Sequence, residues 1–475
     1  MKSKYPKWVT RQKKQGTAVH KIGGKYYLYE VGSRWDRKKK RARKITKGYL
    51  GVITPEGIKE PKYKRNKPTT MKEYGASRYL IKNNGEVIEG LKKYFPDWWA
   101  EIFVISCLRL MKHSPLKNML VHYQDMWLSE EMEKVKLYER AVHQLLEEVG
   151  RDRSMIAAFL KNIASEKEGV LIDLTHIFSS ASNMQIRAKG YNNKFDFNPQ
   201  VNVLFMFSTQ KKMPLFYRVL PGNVRDVSSL KATIAESQMK NITLIGDKGF
   251  YSRANIKMLG KEELQYILPL KRNNSLIDYG PLKKGSKKVF EGYFRYKKRH
   301  IWYYRSKRGN LPVWVFIDER LKVAEEEDYL SRIETHPEFG YTIEGFHKKH
   351  PTFGTIAMIT NLEALPAKKV FYYFKSRAEI EILFDTFKNV LHADRLYMRN
   401  DYCMETWMFI NYLALIYYYK IYRLLLETEL LSKYSPSDFL LHLARIRKVK
   451  ISNHWIDLEI PKQSRILMEK SSLSQ

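Results

Sequence analysis

NITLIGDKGFYS, residues 241–252, reads as three structural signals in twelve positions. An apolar run stops at Asp247. The next glycine permits a tight turn, and Ser252 can cap a helix through ANIKML. QYILPLK then reads as a further strand. Upstream, EGVLIDLTHIF (168–178) is an apolar run ending in Asp173, and QVNVLFMFST and MPLFYRVLPGN are two more strand candidates separated by turn residues. Asp226 is placed to cap a helix through SSLKATIAESQ. Three strands, a helix, a strand, a helix and a strand predict an α/β domain with a mixed sheet.

On this reading Asp173 and Asp247 both sit at the carboxyl ends of apolar strands, where α/β proteins place their sites. A lone aspartate there is usually a turn former or a cap. The pair gains meaning only if a third group converges on it. FKSRAEIEILFDTFKN (374–389) offers one. At 100° per residue, Arg377, Glu381 and Lys388 fall within roughly 40° of one another. Ile380, Leu383, Phe384, Phe387 and Leu391 form the neighbouring apolar stripe, which puts Glu381 at the border of the buried face. Simple i,i+4 helix electrostatics gives such a trio on a solvated face. It does not explain why the charges crowd the core boundary. Phosphodiester chemistry does: three carboxylates suffice for two Mg²⁺ ions about 4 Å apart, which keep several waters. Arg377 and Lys388 would then face DNA phosphates and the charge that develops on them.

The 475 residues can bury a large core, and the formal charge of +35 suits a polyanionic partner. Residues 1–70 carry 22 Lys/Arg against 4 Asp/Glu, about half of the excess. Strand-like runs KYYLYEVGSRW and RARKITKGYLGVI, joined by the basic DRKKK, fit a phosphate-backbone binder. Two cysteines, Cys107 and Cys403, exclude a disulfide framework, and no Cys/His cluster has zinc spacing. No apolar leader opens the chain, and its most apolar stretches are too short or carry a charge, so the cytosol is expected and a membrane is not. Residues 71–168 turn helical, with Ser129 as a helix start and Gly150 as a stop. Residues 401–475 read as helices again, one capped by Ser435 or Ser437.

The ordered blocks resemble DDE transposases of the insertion-sequence-four type. DLT at Asp173 resembles their first catalytic block, PGNVRD (221–226) the turn before the core helix, and GDKGFYS the second block. The third block is Tyr, two residues, Arg, three residues, Glu, six residues, Lys. Here Phe374, Arg377, Glu381 and Lys388 stand at that spacing, with Tyr373 beside the phenylalanine. The resemblance implies a ribonuclease H-like mixed-sheet catalytic core over 169–400, with a β-rich insertion at about 272–354. The basic N-terminal region and the helical segments flank it. In the insertion, RYKKRHIWYYRSKR interleaves cations with aromatics as a DNA-contacting surface does, and Trp302 and Trp314 are candidates for stacking on a displaced base.

The resemblance also implies the chemistry. Asp173, Asp247 and Glu381 hold two Mg²⁺ ions, with Mn²⁺ as a substitute. A strand at each element end is hydrolysed, and the freed 3′-hydroxyl attacks target DNA. Two ends with terminal inverted repeats are synapsed by a homodimer, in the cytoplasm of a prokaryote. A ribonuclease H-like nuclease without strand transfer, or a decayed transposase acting as a DNA-binding regulator, are the alternatives.

Overall fold

The computed structural model describes every residue except 1–3, 37–39, 62–69, 165–168, 180, 182, 191–197, 225, 284–285, 307–310, 452–453 and 472–475. Near the N-terminus, β1 (Thr17–Ile22), β2 (Lys25–Asp36), β3 (Arg41–Thr54) and β4 (Gly57–Lys59) form an antiparallel sheet in that order. Gly23 and Gly24, at φ 53° and 77°, make the two-residue turn between β1 and β2. Positive φ at both central positions matches the right-handed twist of the strands. Val9, Val19, Leu28 and Ile53 give this sheet its own small core. The far half of the β2–β3 pair sets Ser33 opposite Lys44 and Arg34 opposite Arg43, with Trp35 63% exposed. Residues 37–39 of the basic connection lie outside the described residues.

After β5 (Thr70–Glu73) the chain is helical through Ile163. The helix expected from Ser129 begins at Glu139 instead. Ser129 lies in a single turn, Leu128–Glu131, and the non-helical chain beyond it is fixed where buried Glu101 accepts the Lys136 N–H at 3.0 Å. Gly150 lies one residue before the end of this helix, which runs Glu139–Arg151, close to the expected stop. Its role is packing: a β-carbon there would sit 1.9 Å from the Tyr402 carbonyl oxygen. The long helix Asp401–Glu427 thereby lies directly against Glu139–Arg151. Asn400 caps that long helix by accepting the Cys403 N–H.

The main sheet comprises β6 (Gly169–Ser179), β7 (Gln200–Ser208), β8 (Met213–Pro221), β9 (Thr243–Ile245), β10 (Gln265–Leu270), β11 (Gly292–Tyr296), β12 (Arg299–Ser306), β13 (Val313–Asp318), β14 (Thr355–Thr360) and the short β15 (Arg395–Leu396). Its order is β11-β12-β13-β14-β10-β9-β6-β7-β8, with β15 on β6. β6, β9 and β10 run parallel, while β7, β8 and β14 are antiparallel to their neighbours. The run β8-β7-β6-β9-β10, with helices Asp226–Ser237 and Arg253–Lys261 in the crossovers, is the mixed α/β arrangement of a ribonuclease H-like core. Ser252 caps the second of these helices through the Asn255 N–H; the Asp226 side chain lies outside the described residues. Every residue of β7 is buried, as in a strand covered on both faces.

Residues 272–354 supply β11, β12 and β13, which continue this same sheet beyond β14. They also supply a 17-residue helix, Glu319–Thr335, capped by Asp318. Trp314 is no stacking candidate: it is buried in β13 with the Arg305 guanidinium 4.5 Å from its ring. Trp302 is half-buried against Phe290 and Tyr293. Past the long helix, Ser435 and Asp438 form a reciprocal capping box on Pro436–Ala444. β16 (Arg447–Ile451) and β17 (His454–Asp457) then pair as a hairpin, and β16 joins β5. The sequence predicts only helices in this tail; its strands are four and five residues long, too short to show a period of two clearly.

Gly150→Ala is expected to destabilise the protein by roughly 1–3 kcal/mol through overpacking against Tyr402. Urea denaturation checks this; an unchanged midpoint would mean the two helices separate freely.

Candidate active site

β9 pairs with β6 over only three residues, the last being Leu171 opposite Ile245. β9 then ends. Gly246 turns the chain under Leu268 and Phe250, with no room for a β-carbon (2.9 Å to Leu268), and Asp247 leads into the turn Lys248–Phe250. β6 does not end with it. Asp173 lies mid-strand, opposite Phe205 of β7, and β6 continues to Ser179. The expectation that Asp173 terminates its strand is therefore corrected: what terminates is the neighbour. Along residues 172–177, no described strand covers this edge of β6 until β15 pairs at Phe178 and Ser179. Extending the β6–β9 register by two residues sets Asp173 level with Asp247 at the mouth of this split.

Arg377 closes it. Its Nη2 lies 3.4 Å from Asp173 Oδ2 and its Nη1 3.0 Å from Asp247 Oδ1. Arg377 and Asp173 are mostly buried, at 15% and 16% side-chain exposure, and Asp247 is at 33%. Asp173 Oδ1 accepts the Leu174 N–H at 2.8 Å, which fixes the carboxylate's orientation. The guanidinium also lies 5.8 Å from the Phe374 ring centre, and its Nε is buried with no hydrogen-bond partner.

The segment carrying Arg377 is not one uniform α-helix. Helix Ala367–Lys375 gives way at Ser376 and Arg377 to helix Ala378–Asp385, which passes into a π-helical turn, Thr386–Val390. At the break the bonds tighten to three-residue spacing: Arg377 N–H to Phe374 O, Glu379 N–H to Ser376 O and Ile380 N–H to Arg377 O. Rotation of 100° per residue therefore does not carry from Arg377 to Lys388, and the single charged stripe is corrected. The ion pairs of Arg377 run to the sheet, not back to Glu381. Glu381 is exposed on the helix that packs against β6, and Lys388 is half-buried in the π turn. Such turns recur at functional sites. Asp173, Asp247 and Glu381 do not all come within 4.8 Å of one another; among the described residues the one trio that does is His143, Glu147 and Cys403.

Several contacts here escaped the sequence reading. Lys212, in the turn between β7 and β8, pairs with Glu379 and ties the break to the sheet. Tyr373 packs so closely on Gly169 that a β-carbon there would meet the ring at 2.9 Å. Neither carries a local signal, because each joins residues far apart in the chain. As for a metal, Asp173 and Asp247 present only hard oxygens, and the Arg377 guanidinium already places positive charge between them. That donor set fits Mg²⁺.

A family model described as the transposase DDE domain matches residues 164–417, more than half of the chain. Among solved structures, similarity is found to a piggyBac transposase synaptic complex with hairpin DNA, at 12% identity over 73% of this chain and 69% of that one, with a TM-score of 0.39. A Mos1 transposase paired-end complex with the left transposon end is similar at 11% identity over 33% of this chain and 54% of that one, with a TM-score of 0.15. The comparison with curated proteins returns no match. DDE transposases are metal-dependent, and the oxygen-lined split between β6 and β9 falls inside the matched segment. On the family match, this chain belongs to the transposase DDE-domain family.

Proposed function

We propose that this transposase is of the insertion-sequence-four type, with Phe374, Arg377, Glu381 and Lys388 as its third signature block. It binds the ends of an insertion sequence and catalyses metal-dependent strand cleavage and strand transfer. The observation that carries this reading is the pair Asp173 and Asp247, level across the β6–β9 split and joined by Arg377. Asp173, Asp247 and Glu381 would hold the metal. Held there, divalent ions would supply activation of the attacking water or 3′-hydroxyl and stabilisation of the leaving oxygen.

The chain's own residues do the rest. Arg377 neutralises two carboxylates that would otherwise repel in a partly buried site. With a cation held by the two carboxylates, the Arg377 guanidinium would be free to face the scissile phosphate, for which a planar fork is suited. Lys388 supplies a second positive charge for DNA from the π turn. The basic β2–β3 pair, with Arg34, Arg43 and Lys44 along it, binds the phosphate backbone of the ends. The β11–β12 hairpin adds exposed Tyr293 and the aromatic and basic residues of β12. Terminal inverted repeats and target DNA are the partners, and a homodimer synapses the two ends on prokaryotic DNA. No helix among the described residues is long and apolar enough to cross a membrane.

Asp173→Asn, Asp247→Asn and Glu381→Gln should each abolish Mg²⁺-dependent nicking of an end duplex while binding of that duplex persists. Near-normal nicking by one variant removes that residue from the site. Binding of end DNA by the full chain should fall by about 10³-fold or more between 50 and 200 mM salt, the behaviour of six or more phosphate contacts. A flat salt dependence counts against the basic ribbon as the binder. Arg377→Ala should lower cleavage by about tenfold to a hundredfold, the scale of one charge-assisted hydrogen bond. The same variant should gain more thermal stability from added Mn²⁺ than the parent does, because its aspartates lack their counter-ion. Equal gains would show that guanidinium and metal do not share those oxygens.

A further inference from the structure

A second constellation lies away from the β6–β9 split, where the helices Glu139–Arg151 and Asp401–Glu427 press together. We propose that His143, Glu147 and Cys403 form a site for a thiophilic transition-metal ion, with zinc as the fitting species, that pins these two helices to each other. The site is independent of the carboxylates assigned to DNA cleavage.

His143 and Glu147 stand four residues apart, on one face of their helix. Cys403 lies in the first turn of the partner helix. One nitrogen, one carboxylate oxygen and the sulfur lie within 4.8 Å of one another. The absence of a side chain at Gly150, against the Tyr402 carbonyl, is what lets the helices approach so closely. The Nε2 atom of His143 is buried and has no hydrogen-bond partner. A buried ring nitrogen without a partner is costly in a hydrogen-bonding sense, and a metal would satisfy it. Tetrahedral zinc with bonds of about 2.0–2.3 Å spaces its ligand atoms roughly 3.3–3.8 Å apart, a spacing that three atoms all within 4.8 Å of one another already approach.

The surroundings are built to orient these ligands. Asn400 donates from Nδ2 to Glu147 Oε1 at 3.2 Å and accepts the Cys403 N–H on Oδ1 at 2.9 Å. One amide thus positions the carboxylate and the turn that carries the thiol, as supporting residues around metal centres do. The other carboxylate oxygen of Glu147 lies 4.0 Å from Arg151 Nη2. Binding through the thiol exchanges its proton for a metal–sulfur bond and releases that proton to solvent. Sulfur, imidazole and carboxylate together select zinc over magnesium, which takes oxygen ligands. Three protein ligands leave the fourth position for water.

The test uses Co²⁺ as the probe on the metal-stripped full chain, because cobalt bound by a thiolate gives a near-ultraviolet charge-transfer band that carboxylate-bound cobalt does not. The band is expected to saturate at one equivalent, to vanish on adding Zn²⁺ and to withstand excess Mg²⁺. It should be lost in Cys403→Ser and retained in Cys107→Ser, whose cysteine is buried in the helix Trp99–Lys112. Asn400→Ser keeps a capping hydroxyl but loses the amide donor, and should weaken cobalt binding by about tenfold or more. No thiolate band in the parent protein, or a band that survives Cys403→Ser, overturns the proposal. The parent result stands whether or not a variant folds.

Discussion

The structure turns on a pair of carboxylates held side by side at the mouth of a split sheet. Like charges so placed, with Asp173 and its partner Arg377 mostly out of water, are unfavourable unless a cation stands between them. Arg377 meets that demand. Its position explains the departure from α-helical geometry at Ser376 and Arg377, the seating of Tyr373 against Gly169 and the tie from Lys212 to Glu379. Each holds the Arg377 segment down on the sheet. The family's metal dependence follows the same electrostatics, since a divalent cation answers the same repulsion more strongly.

The split itself comes from unequal strand lengths. β9 is three residues long and stops at Ile245, while β6 runs for eleven. Antiparallel β7 pairs with β6 along its length and keeps it extended after β9 has left. A loop-borne aspartate and a strand-borne aspartate can then face one gap. The strand is rigid and the turn is pinned by Gly246 packing under Leu268 and Phe250, so the carboxylates are positioned by the sheet and not by flexible chain.

Much of this was legible in the sequence, and the reasons are local. NITLIGDKGFYS carries a strand, a turn and a cap within twelve residues, and all three form. The strands QVNVLFMFS and MPLFYRVLP stand out because they are mostly apolar and bounded by turn residues. What escaped is what depends on distant partners. The run ending in Asp173 gives no hint that β7 would carry the strand onward. Ser376 and Arg377 are ordinary helix residues, and only the reach of Arg377 to the sheet marks them as a break. Gly150 reads as a helix stop, and the helix does end at Arg151, but nothing local shows that it also packs on Tyr402, far along the chain. The cluster of His143, Glu147 and Cys403 lacks zinc spacing for the same reason: one ligand arrives from the far side of the catalytic segment.

The central claim is that the gap between β6 and β9 is where metal and DNA meet. The most direct measurement is anomalous diffraction from crystals of the protein with end DNA and Mn²⁺. The account predicts manganese peaks within bonding distance of Asp173 and Asp247, with Glu381 turned in toward them and the Arg377 guanidinium displaced from between the aspartates. Manganese bound elsewhere, or an Arg377 bridge that persists with DNA and metal present, would contradict it.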